Sequence, residues 1–193
     1  MYVLHVLPIA VALTSVALPL SAAPSLKDAP ERLREYKTVS RFLRAVDEYA
    51  VAHRVVGPLE PENLCVPDEA YASVRSLAAV PLDARPSPQE GDIFLPDVAD
   101  LFRDEIARML HHSEYHPPDF AAQMDVEELT APPLVVNTPI PWGVGRWTFT
   151  WLLTTLPALP EDLEYRLVGR NLVLVDVRAN IVVDVLRGAV PLH

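Results

Sequence analysis

Twenty prolines stand against six glycines in this chain of 193 residues. Proline fixes φ and has no backbone donor, so helices and interior strands must fit between prolines. The expected elements are short and joined by stiff, extended connectors. Half of the residues are hydrophobic, enough for a core, and the 22% charged share is ordinary for a globular chain. The length suits one domain with an extension.

The most patterned stretch is "LEYRLVGRNLVLVDVRANIVVDVL", residues 163 to 186. "LEYRLVG", "NLVLVDV" and "IVVDVL" are strand-length and rich in β-branched residues. Gly169-Arg170-Asn171 and Arg178-Ala179-Asn180 separate them. Gly and Asn tolerate the positive φ of tight hairpin turns, so an antiparallel β-meander is expected. In the first strand Leu163, Tyr165 and Leu167 face one way. Glu164 and Arg166 face the other, which reads as a solvated side. The second and third strands are apolar on both faces apart from Asp176 and Asp184, so they should lie deeper or beneath a helix. A lone meander is marginal, and helices must supply its second layer.

Residues 26 to 56 read as an amphipathic helix. Leu33, Tyr36, Val39, Phe42, Leu43, Val46 and Tyr49 or Ala50 recur at three and four residues. Gly57-Pro58 ends it. Arg32, Arg34, Lys37, Arg41 and Arg44 occupy other faces, a solvated surface or an anion-binding one. A second helix is expected from Pro67 to Val80. A third lies in "IFLPDVADLFRDEIARMLHH", with Pro96 at its first position and Asp97 at the positive end of its dipole. Its apolar side is Val98, Leu101, Phe102, Ile106 and Met109 or Leu110, and Pro117-Pro118 forbids continuation. "DFAAQMDVEEL", from Asp119, adds a short helical turn.

Residues 131 to 160 are harder to read. "LVVN", from Leu134, reads as a short edge strand. "WGVGRW" reads as a turn, because its GxG lacks the context of a phosphate loop. "RWTFTWLLTTL" fits a helix or a strand, and the helix, ended by Pro157, is preferred. Trp142, Trp147 and Trp151 could line a groove, although core packing beside proline-rich backbone is the plainer expectation.

Residues 1 to 26 contain no Asp, Glu, Lys or Arg. The apolar run ends in "LSAAPS", which offers a cleavage site near Ala22 or Ala23. This predicts a signal peptide over 1–23 and a periplasmic or secreted mature chain; an uncleaved anchor is the alternative, the run being long enough to span a bilayer. The formal charge of −10 repels phosphate backbones and anionic lipids, so neither a nucleic-acid partner nor membrane contact beyond the leader is expected. Cys65 is the sole cysteine, so no intrachain disulfide forms, and it reads as a small apolar filler or as pairing with another chain.

"EGDIFLPDVADLFR" together with "LPALPEDLEYRLVGRNLVLVDVRANIVVDVL" resembles a family of exported bacterial proteins to which no activity is attached. There a Gly-Asp-Ile-Phe segment opens a helix, and the chain ends in a Leu-Pro lead and a Glu-Tyr-Arg β-meander. The resemblance covers roughly residues 67 to 190 by order of segments. Residues 131 to 156 depart from it. It implies export and one continuous domain, and nothing about mechanism. The meander alone is also similar to the carboxy-terminal part of a periplasmic nickel and cobalt homeostasis family, a weaker likeness because alternating hairpins converge easily.

Few groups could carry chemistry. In "HHSEYHPPD", His112 and His116 stand four apart, with His111, Glu114 and Asp119 nearby. Imidazole pairs suit zinc, copper or nickel. HExxH is absent, the prolines break the helical spacing, and a solvated helix end is the plainer reading. Asp176 and Asp184 lie on neighbouring strands; directly opposed, one could hold a raised pKa and act as an acid. Otherwise they face solvent or cap turns. Glu164 and Arg166 read as a surface ion pair. No GxSxG, Ser-x-x-Lys or kinase signature occurs.

The expected architecture is α+β, about three helices packed on a small C-terminal antiparallel β-meander, with 24–193 as a single domain. No residue is assigned to catalysis, to a cofactor or to a metal. The expected function is that of an exported, non-enzymatic protein, such as an envelope interaction module with an unidentified protein partner. A periplasmic metal-binding protein using His111–His116 and an enzyme with an unrecognised site are the alternatives.

Overall fold

The computed structural model describes residues 29–54, 87–112, 124, 126, 129–141, 144–145 and 150–191. The expected leader, the helix over 67–80, Cys65, Glu114, His116, Asp119, Trp142 and Trp147 lie outside the described residues. The described elements are α1 (Ala29–Arg54), α2 (Pro96–His112), α3 (Thr150–Leu153), β1 (Leu163–Val168), β2 (Asn171–Asp176) and β3 (Ile181–Leu186). The fold is α+β, as the patterning predicts.

The three strands form an antiparallel sheet in the order β1-β2-β3. Gly169 has φ 55° in the first turn and Asn180 has φ 53° at the end of the second. These are the two residue types that accept the left-handed region at least cost. On one face, Leu167, Leu172, Leu174 and Leu186 pack against the helices. Phe42 of α1, Phe102 of α2, Phe94 and Tyr165 form an aromatic knot there, with the Phe42 and Phe102 rings 4.9 Å apart edge to face. Burying one such ring is worth about 1.5–3 kcal/mol.

The other face is not open. Val168, Val173, Val175, Val182 and Val185 are covered by Leu134, Ile140, Ala131 and Val144. The cover is a proline-rich strap, residues 131–141 and 144–145, rather than a helix. "LVVN" is not a strand; Val136 and Asn137 lie in a turn. The strap instead meets β3 through a bridge between Pro139 and Ile181, flanked by Ile140 N–H to Asn180 O at 3.1 Å and Val182 N–H to Thr138 O at 3.0 Å. Arg187, just past β3, ties the layers together: its guanidinium forks onto Glu90 and also donates to Leu134 O at 2.7 Å.

Two expectations are corrected. Leu33 and Tyr36 do not belong to the buried stripe of α1: they are 54% and 70% exposed, and packing starts at Thr38. The Glu164/Arg166 side of β1 is not solvated: Arg166 is 2% exposed, because the strap lies over that face. The predicted bounds hold better elsewhere. α2 begins at Pro96 and buries Val98, Phe102, Ile106 and Leu110. Residues 150–153 are helical, before Pro157, and Val144 and Gly145 form a turn. Met124, Val126, Leu129 and Thr130 are helical, where a short turn is expected.

Candidate functional site

Asp184 sits at an irregularity in β3. Leu174 pairs with Asp184 but Val175 pairs with Val182, so Val183 is an extra residue, a β-bulge. The Asp184 carboxylate lies wholly inside, opposite Leu174 on the helix side. It accepts four backbone N–H bonds, each 2.7 Å long: Gly91 and Val185 donate to Oδ1, and Ile93 and Phe94 donate to Oδ2. Three of these donors come from the "GDIF" segment before α2. Gly91 reaches this position with φ 90°, a conformation that glycine adopts without strain. Asp92 in turn accepts from Gln89 N–H at 2.8 Å. The segment is therefore a cradle of amides closed on one carboxylate, and it fixes the entry of α2 against β3. Burial pushes the Asp184 carboxyl above its ordinary value, while the four amides pull it back.

Asp176 has a comparable place at the end of β2. It accepts from the Tyr49 hydroxyl at 2.9 Å and from Arg178 and Ala179 N–H at 3.0 and 2.7 Å. It caps the β2–β3 turn and ties α1 to it. The two aspartates are not opposed: Asp176 pairs with Leu163 and Ile181, and Asp184 with Leu174. Neither faces solvent, since both are fully buried. Turn capping is the reading that holds, for Asp176. With their oxygens occupied by amide and hydroxyl donors, these carboxylates hold segments of the fold together.

Arg166 pairs through Nε with Glu164. Its two Nη atoms are buried and have no hydrogen-bond partner among the described residues. Gly145 of the strap presses on the same strand: a Cβ there would fall 2.7 Å from Leu167 O and 3.0 Å from Arg166 Cβ. Tyr165, on the other face, donates to Pro157 O at 3.1 Å, and burial pushes its phenol far up, so it stays neutral.

His111 and His112 end α2 in solvent with ring centroids 5.6 Å apart. Among the described residues, no three His, Cys, Asp or Glu side chains cluster as a metal site would need. Trp151 is half-buried against the main core.

A cleft of about 940 Å³ opens between α1 and α2. Its α1 bank carries Arg34, Lys37 and Arg44 with Glu31 and Glu35, and its α2 bank carries Asp97, Asp100 and Asp104 with Arg108. Asp97 crosses it, accepting from the Thr38 hydroxyl at 2.9 Å and pairing with Arg41. The arrangement sets a mainly basic wall against a mainly acidic one. An apolar groove of about 430 Å³ runs between residues 153–159 and β1. Among the described residues, no helix is long and apolar enough to cross a membrane.

No protein-family profile, curated protein or solved structure matches this chain.

Proposed function

We propose that the chain is an exported bacterial protein, periplasmic or secreted, that acts by binding rather than by catalysis, as an envelope interaction module. The observation that carries the binding reading is the engagement of Asp176 and Asp184. The two acids placed deepest in the fold are consumed by seven donated bonds that join α1, the α2 entry and the sheet. The accessible polarity lies instead on the open cleft between α1 and α2, where charge is presented rather than enclosed. Such a surface suits recognition of a charged partner. The export reading is supported by the uncharged, apolar residues 1–26 and the small residues at 21–23.

Expression of the full chain with a carboxy-terminal tag tests the proposal. Fractionation and intact mass should place the product outside the cytoplasm and starting at Ala23 or Pro24. A cytoplasmic product of full mass overturns export. Charge reversal at Asp100 and Asp104 should abolish the in-cell phenotype of the protein without lowering its thermal midpoint. A phenotype that survives those changes overturns the cleft as the working surface.

A further inference from the structure

The cleft between α1 and α2 carries its charges in a definite order. Thr38 and Arg41 both meet Asp97, while Glu35 and Val39 share a smaller cavity with Leu101 and Arg108. Low numbers on α1 lie beside high numbers on α2, so the two helices run antiparallel. Each advances about 1.5 Å per residue. Counted from the Asp97 contacts, Lys37 therefore stands level with Asp100, Arg34 with Asp104 and Glu31 with Arg108. Along the cleft α1 presents two cations and then an acid, where α2 presents two acids and then a cation. All six side chains line the opening.

The chain itself uses few of these charges. Among the described residues, Arg41–Asp97 is the ion pair that crosses the cleft, at one end of it, and Arg34, Lys37 and Asp104 make none. The lining holds five basic and five acidic residues, so this face is neutral on a chain of net −10. A partner of one sign suits one wall and is repelled by the other. A partner that suits both carries the same two walls reversed, and a two-fold axis laid along the cleft supplies it. That rotation turns a second copy face to face and keeps every residue at its own level. α1 of each copy then lies on α2 of the other, where Lys37 meets Asp100, Arg34 meets Asp104 and Glu31 meets Arg108. Tyr36, which is 70% exposed at the cleft, comes level with its own mate, an aromatic contact at the axis.

We infer that two copies of the chain associate through this cleft, as a two-fold dimer with α1 of each on α2 of the other. The inference rests on the cleft being the working surface and names its partner. Fourteen residues line the cleft, fewer than the roughly 20–30 a side of a standard interface. Exposed ion pairs also hold little energy. The dimer is therefore weak, with a Kd on the order of 10 μM. What the charge order fixes is register: sliding one copy by a helical turn sets Arg34 against Arg108, like charge on like. A face that matches itself about a two-fold axis also closes at two copies.

Sedimentation equilibrium of the chain as recovered from cells tests this, over concentrations that bracket that Kd and at low and high salt. Wild type should pass from one copy to two, and high salt should weaken the association about tenfold or more. Arg34→Glu with Lys37→Glu turns the α1 wall acidic like its neighbour. Asp100→Lys with Asp104→Lys turns the α2 wall basic like its neighbour. Each double variant should lose self-association about tenfold or more, because like walls then face each other. An equimolar mixture of the two doubles should associate again, since each then meets walls of opposite sign. All four positions are exposed, and an unchanged circular dichroism spectrum shows that the variants fold. Wild type that stays a single copy, assembly that neither double weakens, or a mixture that fails to associate overturns the inference. A single-copy wild type whose in-cell phenotype is still lost on reversing Asp100 and Asp104 keeps the cleft and replaces the second copy by another protein. A dimer lost on that reversal while the phenotype survives keeps the dimer and overturns the cleft as the working surface.

Discussion

The Tyr49 hydroxyl donates to Asp176 Oδ2 at 2.9 Å, joining the C-terminal part of α1 to the end of β2 across 127 residues. Both groups are buried. Removing the donor leaves a buried acceptor unsatisfied, which costs more than the net worth of an ordinary hydrogen bond. Tyr49→Phe keeps the ring in the core and removes only the donor. It should lower the stability by about 1.5–3 kcal/mol, read as a shift of the urea midpoint at unchanged slope.

Asp184 should be costlier to replace. Asp184→Asn keeps the shape but sets an amide NH₂ against amide donors, with an expected loss of about 3 kcal/mol at neutral pH. The pH dependence has a defined sign. Because burial raises its carboxyl, the folded chain binds this proton more readily than the unfolded one. The associated stability is complete below the ordinary value of ~3.9 and is lost as pH rises through the raised value. As pH falls from neutral into the acid range, wild type should therefore gain ground on Asp184→Asn. Parallel urea curves for the two proteins check this, and a constant or narrowing gap contradicts it.

Arg166 and Glu164 should behave asymmetrically. Arg166 is enclosed with two unpartnered nitrogens, so Arg166→Met removes a desolvated charge and keeps much of the volume. Such exchanges are neutral or stabilising by about 1–4 kcal/mol. Glu164→Ala leaves the cation enclosed without its carboxylate and should be destabilising. Thermal melts of the two variants should move in opposite directions, or Arg166→Met should stay still while Glu164→Ala falls.

Gly145→Ala tests the strap. The position has φ 68°, and the added Cβ would meet Leu167 O at 2.7 Å, a backbone atom that cannot swing aside. Left-handed strain and overpacking together should cost about 2–4 kcal/mol. Calorimetry should show the drop in midpoint.

Much of this architecture is legible in the residues. Pro96 marks the start of α2 because only a first-turn position spares its missing donor, and Gly169 and Asn180 mark the turns by their tolerance of positive φ. The misses share a cause. A period of 3.6 says that Leu33 and Tyr36 share the helix with Phe42, but not where along α1 its neighbours begin. An alternating strand says that Arg166 opposes Leu167, but not that a strap from residues 131–141 and 144–145 covers its side. The role of Asp184 lies beyond a local reading, since three of its four donors stand about ninety residues earlier. The one signal was "GDIF" before Pro96, a glycine and bare amides at a helix entry.

The strap bears on more than burial. Around the Pro139–Ile181 bridge, Asn137 N–H and Thr138 O bond Val182 of β3 and Ile140 N–H bonds Asn180 just before it, so the nitrogen of Pro139 points outward. Pro141 follows in the same phase. An incoming strand from another molecule would look for amide hydrogens along that margin and find pyrrolidine rings. On this side the sheet stops growing by chemistry, and fibril-like stacking of one molecule onto the next has no template there.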